Sequence, residues 1–341
     1  MDGKTLLGHD REINSVQVLI TGGAGFIGLH LANRLLASGF SVRIVDNLSR
    51  GVADGDLQQF LDFPLSSFQE IDLLDPKEVL ELGNNFDIVV HLAAIIGVKN
   101  VNDRPYAVLT QNVESLKNVI RLSERQTNLQ RFLFASTSEV YAGTLKHYHL
   151  PIPTPEEVPL TLNSLSEPRT TYMLSKLYGE AMCQQSGLPV TIFRPHNIYG
   201  PRMGMAHVIP EQMKNIWLAR PEDSLKVFST THTRAFCYIK DAVAMLEEMM
   251  TTEACLGQTL NLGCEAPEIS IRELVEACLE ITGSDLQIVA QPPTTGSPER
   301  RAPDMSATRL LLGTRPKITL HEGLRRTWDW YSENIFSSYD E

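Results

Sequence analysis

The chain has 341 residues, 43% of them hydrophobic and 21% charged, with 22 Gly and 19 Pro. That composition excludes collagen-like, coiled-coil and wholly disordered chains, and the length suggests about two domains or one large α/β unit with an added lobe. Lys and Arg total 30 against 41 Asp and Glu, a formal charge of -11; this balance excludes a broad appetite for nucleic acid, so any bound phosphate has to be held by local amides and a few placed cations.

Residues 1–14 are polar, lack the apolar core of a signal peptide and read as a flexible extension. From residue 15 short strands alternate with helices. SVQVLIT (15–21) runs into glycines, and AGFIGLHLANRLLASG then carries helical periodicity to a Gly stop. FSVRIVD (40–46), SSFQEIDL (66–73), FDIVVHLAA (86–94), LQRFLFAST (129–137) and LPVTIFRP (188–195) read as further strands. Residues 105–126 and 171–187 read as the longer helices between them. Strands of this apolar kind predict a parallel sheet covered on both faces, an α/β architecture. After Arg194 the elements shorten and loops lengthen, as in the Pro-rich QPPTTGSPERRAPD. A smaller lobe is therefore expected over 196–341, interleaved with a 15–195 domain through returns near 236–263. No apolar run approaches the roughly 20 residues that cross a bilayer, so no membrane partner is expected. The five cysteines are odd in number and without a C-x-x-C pair, which argues against a disulfide framework and fits a cytoplasmic, reducing location. His147 and His149 are too few for a metal site, and no metal is expected.

The loop Thr21-Gly22-Gly23-Ala24-Gly25-Phe26-Ile27-Gly28 lies where the first strand meets the first helix. Gly22 permits the tight turn, Gly25 lets amides approach a pyrophosphate, and Gly28 lets helix and sheet pack closely. Asp46 ends the next strand about 20 residues on, where a carboxylate accepts the adenosine ribose hydroxyls. The expected fold is thus a Rossmann doubly wound parallel sheet, and the expected cofactor is NAD. Asp46 would repel the 2′-phosphate of NADP, although Arg43 and Arg50 stand close to it in sequence. Asp72, read as the end of the third strand, is a candidate for the adenine edge or a plain turn residue.

Tyr172 and Lys176 are four apart in a predicted helix and so share a face. A phenol of ordinary pKa near 10 is a poor base at neutral pH, and an adjacent ammonium together with a nicotinamide ring favours its phenolate. TGGAGFIG, Asp46, HLAA (91–94), ASTSEVY (135–141), Tyr172-x-x-x-Lys176 and FRPHNIYGPR (193–202) together resemble the extended short-chain dehydrogenase/reductase family, within it the nucleotide-sugar epimerases, dehydratases and decarboxylases. The resemblance runs from about residue 15 to residue 334.

It implies a nucleotide-diphosphate sugar as substrate, recycled NAD and a homodimer. The cofactor contacts it implies come from the glycine loop with Phe26 and Ile27, from Asp46 and Asn47, from Asp72 and Leu73, and from Leu92, Ala93 and Ala94, with Tyr172 and Lys176 at the nicotinamide end. Thr137 would bond the sugar O4 and relay its proton. Asn197 and Arg234 would hold the diphosphate, and Arg301 would face the pyrophosphate or the sugar. His207, Val208 and Phe228 are placed around the sugar or base. The implied reaction oxidises C4 to a ketone, which acidifies C5 and turns a C6 carboxylate into a β-keto acid.

Thr137-Ser138-Glu139 bears on the branch. The resembling 4-epimerases carry small or hydroxyl residues at the position of Glu139, whereas 4,6-dehydratases and uronate decarboxylases carry the glutamate. Ser138 agrees with the decarboxylases and with GDP-mannose-type dehydratases. Met173 departs from the decarboxylases, which usually have aspartate there. The favoured reading is a 4,6-dehydratase or uronate decarboxylase, with a 4-epimerase as alternative. A non-catalytic NAD-sensing module is the alternative of another class, disfavoured by the joint presence of Thr137, Tyr172 and Lys176.

Overall fold

Seven short strands, most of them apolar, form the central sheet of the computed structural model, which describes residues 15–294 and 296–339. They are β1 (Gln17–Thr21), β2 (Ser41–Asp46), β3 (Ser66–Glu70), β4 (Ile88–His91), β5 (Arg131–Ala135), β6 (Val190–Pro195) and β7 (Thr259–Leu262). All neighbours pair in parallel, in the order β7-β6-β5-β4-β1-β2-β3. The order reverses between β1 and β4, which opens a crevice beyond their carboxyl ends where such folds bind ligands. The extension expected over 1–14 lies outside the described residues.

Successive side chains of a strand point to opposite faces. Val18 and Ile20 therefore enter one core with Leu29, Ile44 and Leu133, while Leu19 enters the other with Val45, Val89 and Phe132. Each such fully buried side chain contributes roughly 1.5–3 kcal/mol. β3 is an edge strand with exposed Gln69 and Glu70, so it lacks the two-sided apolar pattern of the others.

Helix α1 (Phe26–Ala37) follows β1, and α2 (Pro105–Glu124) and α3 (Pro168–Gln185) lie side by side on the other face. Gly179 sets the height of α3 above the sheet, since a Cβ there would stand 2.5 Å from the Phe134 ring. That close approach brings the Tyr172–Lys176 face of α3 to the end of β5. Helices α4 (Val208–Leu218) and α5 (Ile239–Thr251) belong to the second half of the chain, with α5 packed against α1. Beyond the sheet, Thr233–Ala235 pairs antiparallel with Glu268–Ser270 and parallel with Arg300–Arg301. A further parallel pair joins Ser224–Phe228 to Gln287–Gln291. The first of these small sheets carries Arg234 and Arg301, discussed below. Among the described residues no helix is long and apolar enough to cross a membrane.

Candidate active site

The glycine loop fits a dinucleotide. Gly22 has φ +71°, and a Cβ on it would stand 2.8 Å from the Ala93 amide nitrogen. A Cβ on Gly28 would meet Gly22 O at 2.3 Å, so only glycine lets α1 start this close to the turn. Gly25 caps α1 without a side-chain hydrogen bond, and no acidic residue stands in the first turn. The amides of Phe26 and Ile27 are thus left to an external anion, favoured further by the helix dipole.

Asp46 Oδ1 accepts the Leu48 amide at 2.9 Å and Oδ2 accepts the Ala24 amide at 3.2 Å. Burial raises its pKa, with those amides acting in the opposite sense. The acid therefore also ties the β2 loop to the glycine loop. Asn47 is exposed and accepts the Ser49 amide. Asp72 lies two residues beyond the end of β3, exposed, with its carboxylate on the Leu74 amide. Leu73 is buried, and Leu92, Ala93 and Ala94 line the crevice half-buried after β4. Arg43 is directed away, to Leu82 O and the Phe86 ring, which removes it from any 2′-phosphate.

At the end of β5, Thr137 caps the 3-10 turn Ser138–Tyr141 by accepting the Glu139 amide at 3.2 Å. The Thr137 hydroxyl neighbours the Tyr172 phenol. Burial pushes the Tyr172 phenol well above its ordinary value; Thr137 lowers it, Glu139 raises it further and Arg50 lowers it. Lys176 is buried to about 8, its Nζ donating to Ala135 O at 2.8 Å and lying 5.0 Å from the centre of the Phe134 ring. Lys176, the ammonium expected to assist Tyr172, is thus held at the end of β5, and Arg50 is a second cation that acts on the phenol. Met173 is buried, 2% exposed.

Glu139 pairs with Arg301 at 2.8 Å. Arg301 holds its pKa below the usual carboxylate range against burial, and Arg169 and Arg234 act in the same direction. Arg301 and Arg234 are partners in register on neighbouring strands. Arg234 is drawn to about 10 by burial and by Arg301, and it donates to Ser297 Oγ at 3.1 Å and Pro298 O at 2.8 Å. Asn197, at φ +43°, donates to Ala235 O at 3.1 Å and so sets the edge of the Arg234 strand. Ser138 is buried beside Arg301 around a small cavity. His207 and Val208 open α4, and Phe228 ends its strand 54% exposed. His207 is exposed as well.

Beneath this surface lies a polar network that the motifs did not point to. Arg194 on β6 makes a two-pronged ion pair with Glu180, at 2.9 and 2.7 Å, both side chains almost fully buried. Glu180 also accepts the Ser136 hydroxyl, and Arg194 donates to Tyr141 Oη at 2.8 Å. Tyr141 and His196 Nε2 both meet Asn261 Oδ1 at 3.0 Å, while Asn261 Nδ2 donates to Thr154 O and Asp304 O. One signal was available: Tyr172, Lys176 and Glu180 repeat at four-residue steps on one face of α3. Asn112 of α2 clamps the loop after β4 through both Ile95 backbone groups and bonds Ser175. Arg202, at φ +64°, ties Asp54 and Ala24 O to the second half of the chain.

Two histidines in this region are buried and neutral. Burial takes His91, bonded to Thr21 Oγ1, and His196 each down to about 3 from 6.5. Between those values the unfolded chain binds protons that the native state does not, so stability falls as pH drops below about 6.5. Glu139, with its lowered pKa, loses its contribution in the same direction at more acid pH. The melting temperature is thus expected to be flat near neutrality and to decline from about pH 6.5 downward. Scanning calorimetry across pH checks this, and a His196→Asn variant should show a shallower decline.

Residues 18–263 match the family described as NAD dependent epimerase/dehydratase family. The chain is 34% identical over 329 residues to UDP-N-acetyl-alpha-D-glucosaminuronate decarboxylase of Bacillus cytotoxicus, covering 92% of this chain and 97% of the relative. It is 31% identical to UDP-glucuronic acid decarboxylase 1 of Danio rerio, covering 95% of this chain and 74% of the relative. Its fold is similar to that of UDP-glucose 4-epimerase from Thermotoga maritima, with TM-score 0.79, 27% identity, and coverage of 94% of this chain and 100% of that one. The glycine cradle, the parallel sheet with its crevice and these matches lead to one conclusion: the chain belongs to the NAD-dependent epimerase/dehydratase family and is an enzyme whose cofactor is NAD.

Proposed function

We propose that this enzyme decarboxylates a nucleotide-diphosphate uronate through a 4-keto intermediate. The observation that carries the reading is the Glu139–Arg301 ion pair set beside Tyr172 and ringed by Arg169 and Arg234. When bound, NAD supplies the oxidation of C4 and its later reversal. Thr137 orients Tyr172, whose phenolate accepts the O4 proton and returns it once the carbon dioxide has left. Lys176 holds the nicotinamide ribose. Asn197 and Arg234 hold the diphosphate, and Phe228 offers an aromatic face to the base. A uronate carboxylate entering this pocket competes with Glu139 for Arg301. Glu139 then loses its counter-ion, its pKa rises, and it is able to carry the proton that C5 needs after the C5–C6 bond breaks. Ser138 stands next to it as a hydrogen-bonding partner for the departing carboxylate.

The decarboxylases among the relatives support this branch. Met173, buried beside Tyr172 where the decarboxylases usually carry aspartate, remains the departure from this branch. The likeness to a UDP-glucose 4-epimerase makes epimerisation the second reading. Incubation with NAD and a panel of UDP-, GDP-, dTDP- and CDP-sugars, uronates included, tests the proposal by product mass. Loss of carbon dioxide from a uronate supports it; loss of water indicates a dehydratase, and an unchanged mass with an altered NMR spectrum indicates an epimerase. Glu139→Gln is expected to keep the C4 oxidation, read from cofactor absorbance, while carbon dioxide release falls by about 10²-fold or more.

The same reading includes a cytoplasmic homodimer built on α2 and α3. Tyr106 and Tyr178 of these helices are 79% and 54% exposed, an apolar area that a second copy would cover. All five cysteines are free and buried, which suits a reducing compartment. Light scattering on the purified protein should return twice the monomer mass.

A further inference from the structure

Arg50 stands on the loop after β2, four residues beyond Asp46. Its side chain reaches inward across the crevice. Arg50 Nη2 comes 3.8 Å from the place a Cβ on Gly204 would occupy, a spot that is also 3.7 Å from His207 Cδ2. The guanidinium thus bridges from the sheet domain to the turn that precedes α4. The groups whose charges act on it are Tyr172 first and Asp46 second. Among the described residues it has no hydrogen-bonding or ion-pair partner.

Gly51, the residue after Arg50, packs tightly on the glycine loop, where a Cβ would stand 2.8 Å from Ala24 Cβ and 2.9 Å from the Asp46 carboxylate. A side chain that runs from this loop to the 204–207 turn therefore passes over the glycine loop, the pyrophosphate end of such folds. The α1 amides face that pyrophosphate from below with about half a unit of positive charge. The other arginine at the loop, Arg202, is committed to Asp54, Ala24 O and Val52 O. We propose that Arg50 is the upper half of the pyrophosphate site, a strap that closes over the cofactor and links it to the 204–207 turn. The crossing direction of the side chain also sets it apart from a 2′-phosphate reader, which would lie outside the groove beside Asp46. This assignment rests only on NAD binding and not on which sugar reaction follows.

The test measures binding rather than turnover. Calorimetry with NAD, ADP-ribose, NADP and UDP is run on the NAD-depleted wild type, Arg50→Met and Arg50→Lys. Arg50→Met is expected to weaken NAD and ADP-ribose alike by about 10- to 100-fold. Arg50→Lys should recover part of that loss, UDP affinity should change by less than about 2-fold, and the melting temperature without cofactor should be unchanged. A loss confined to UDP would reassign Arg50 to the substrate diphosphate, a loss confined to NADP would make it a 2′-phosphate reader, and unchanged affinities throughout would leave it a surface charge; each of these overturns the proposal. If the decarboxylase reading fails, the product assay shows it while these affinities still fall.

Discussion

Tyr172→Phe is expected to lower turnover by about 10²- to 10⁴-fold while leaving the fold and NAD binding intact. The substitution removes one oxygen and keeps the ring that α3 presents to the crevice. That oxygen neighbours Thr137 and feels the charges of Glu139 and Arg50. Burial holds the phenol protonated in the free protein, so the catalytic proton acceptor has to be created when the charged nicotinamide ring arrives. Initial rates, a thermal melt and NAD affinity, measured together, separate lost chemistry from lost structure. Wild-type turnover by the variant would remove Tyr172 from the mechanism and revive the reading of a binding module.

The second large effect concerns stability. Arg194→Met leaves the Glu180 carboxylate buried without its two-pronged partner, which costs about 3–5 kcal/mol. The loss spreads because Glu180 accepts from Ser136 and Arg194 donates to Tyr141, so both walls of the Thr137 turn lose an anchor. Urea unfolding should show the midpoint falling accordingly. A double variant, Glu180→Leu with Arg194→Met, should regain part of the loss, since replacing a buried ion pair by apolar groups is often close to neutral. A cost under about 1 kcal/mol for the single variant would show that the pair is solvated or dispensable.

The sheet was legible because its strands are short apolar runs bounded by turn residues, and a parallel strand buried on both sides leaves that mark. β3 was less so, since an edge strand needs only one apolar face; its end was placed too far along, at Asp72. The glycine loop, Asp46 and the Tyr172–Lys176 pair were legible as local patterns with a chemical reason for each residue. The partners of those residues were not. Glu139 meets Arg301 only because Arg300–Arg301 pairs with Thr233–Ala235, and no spacing in the chain encodes that register. Arg194, Glu180, Tyr141 and Asn261 likewise converge from four separate elements. The Tyr172–Lys176 spacing gives no sign of Arg50, which acts on the same phenol from a loop more than a hundred residues earlier.

The acidic balance of the chain describes its general surface; the site itself gathers Arg169, Arg234 and Arg301 around one carboxylate, with Arg50 on the far side of Tyr172. That arrangement suits ligands with two diphosphates and a carboxylate. The most direct test of this account is a proton NMR time course in D2O with NAD and either UDP-glucuronate or its 2-acetamido analogue. The account predicts a UDP-pentose product carrying one deuterium at C5, with the carboxyl carbon released. A product that keeps its carboxylate, has C4 inverted and carries no deuterium would contradict it.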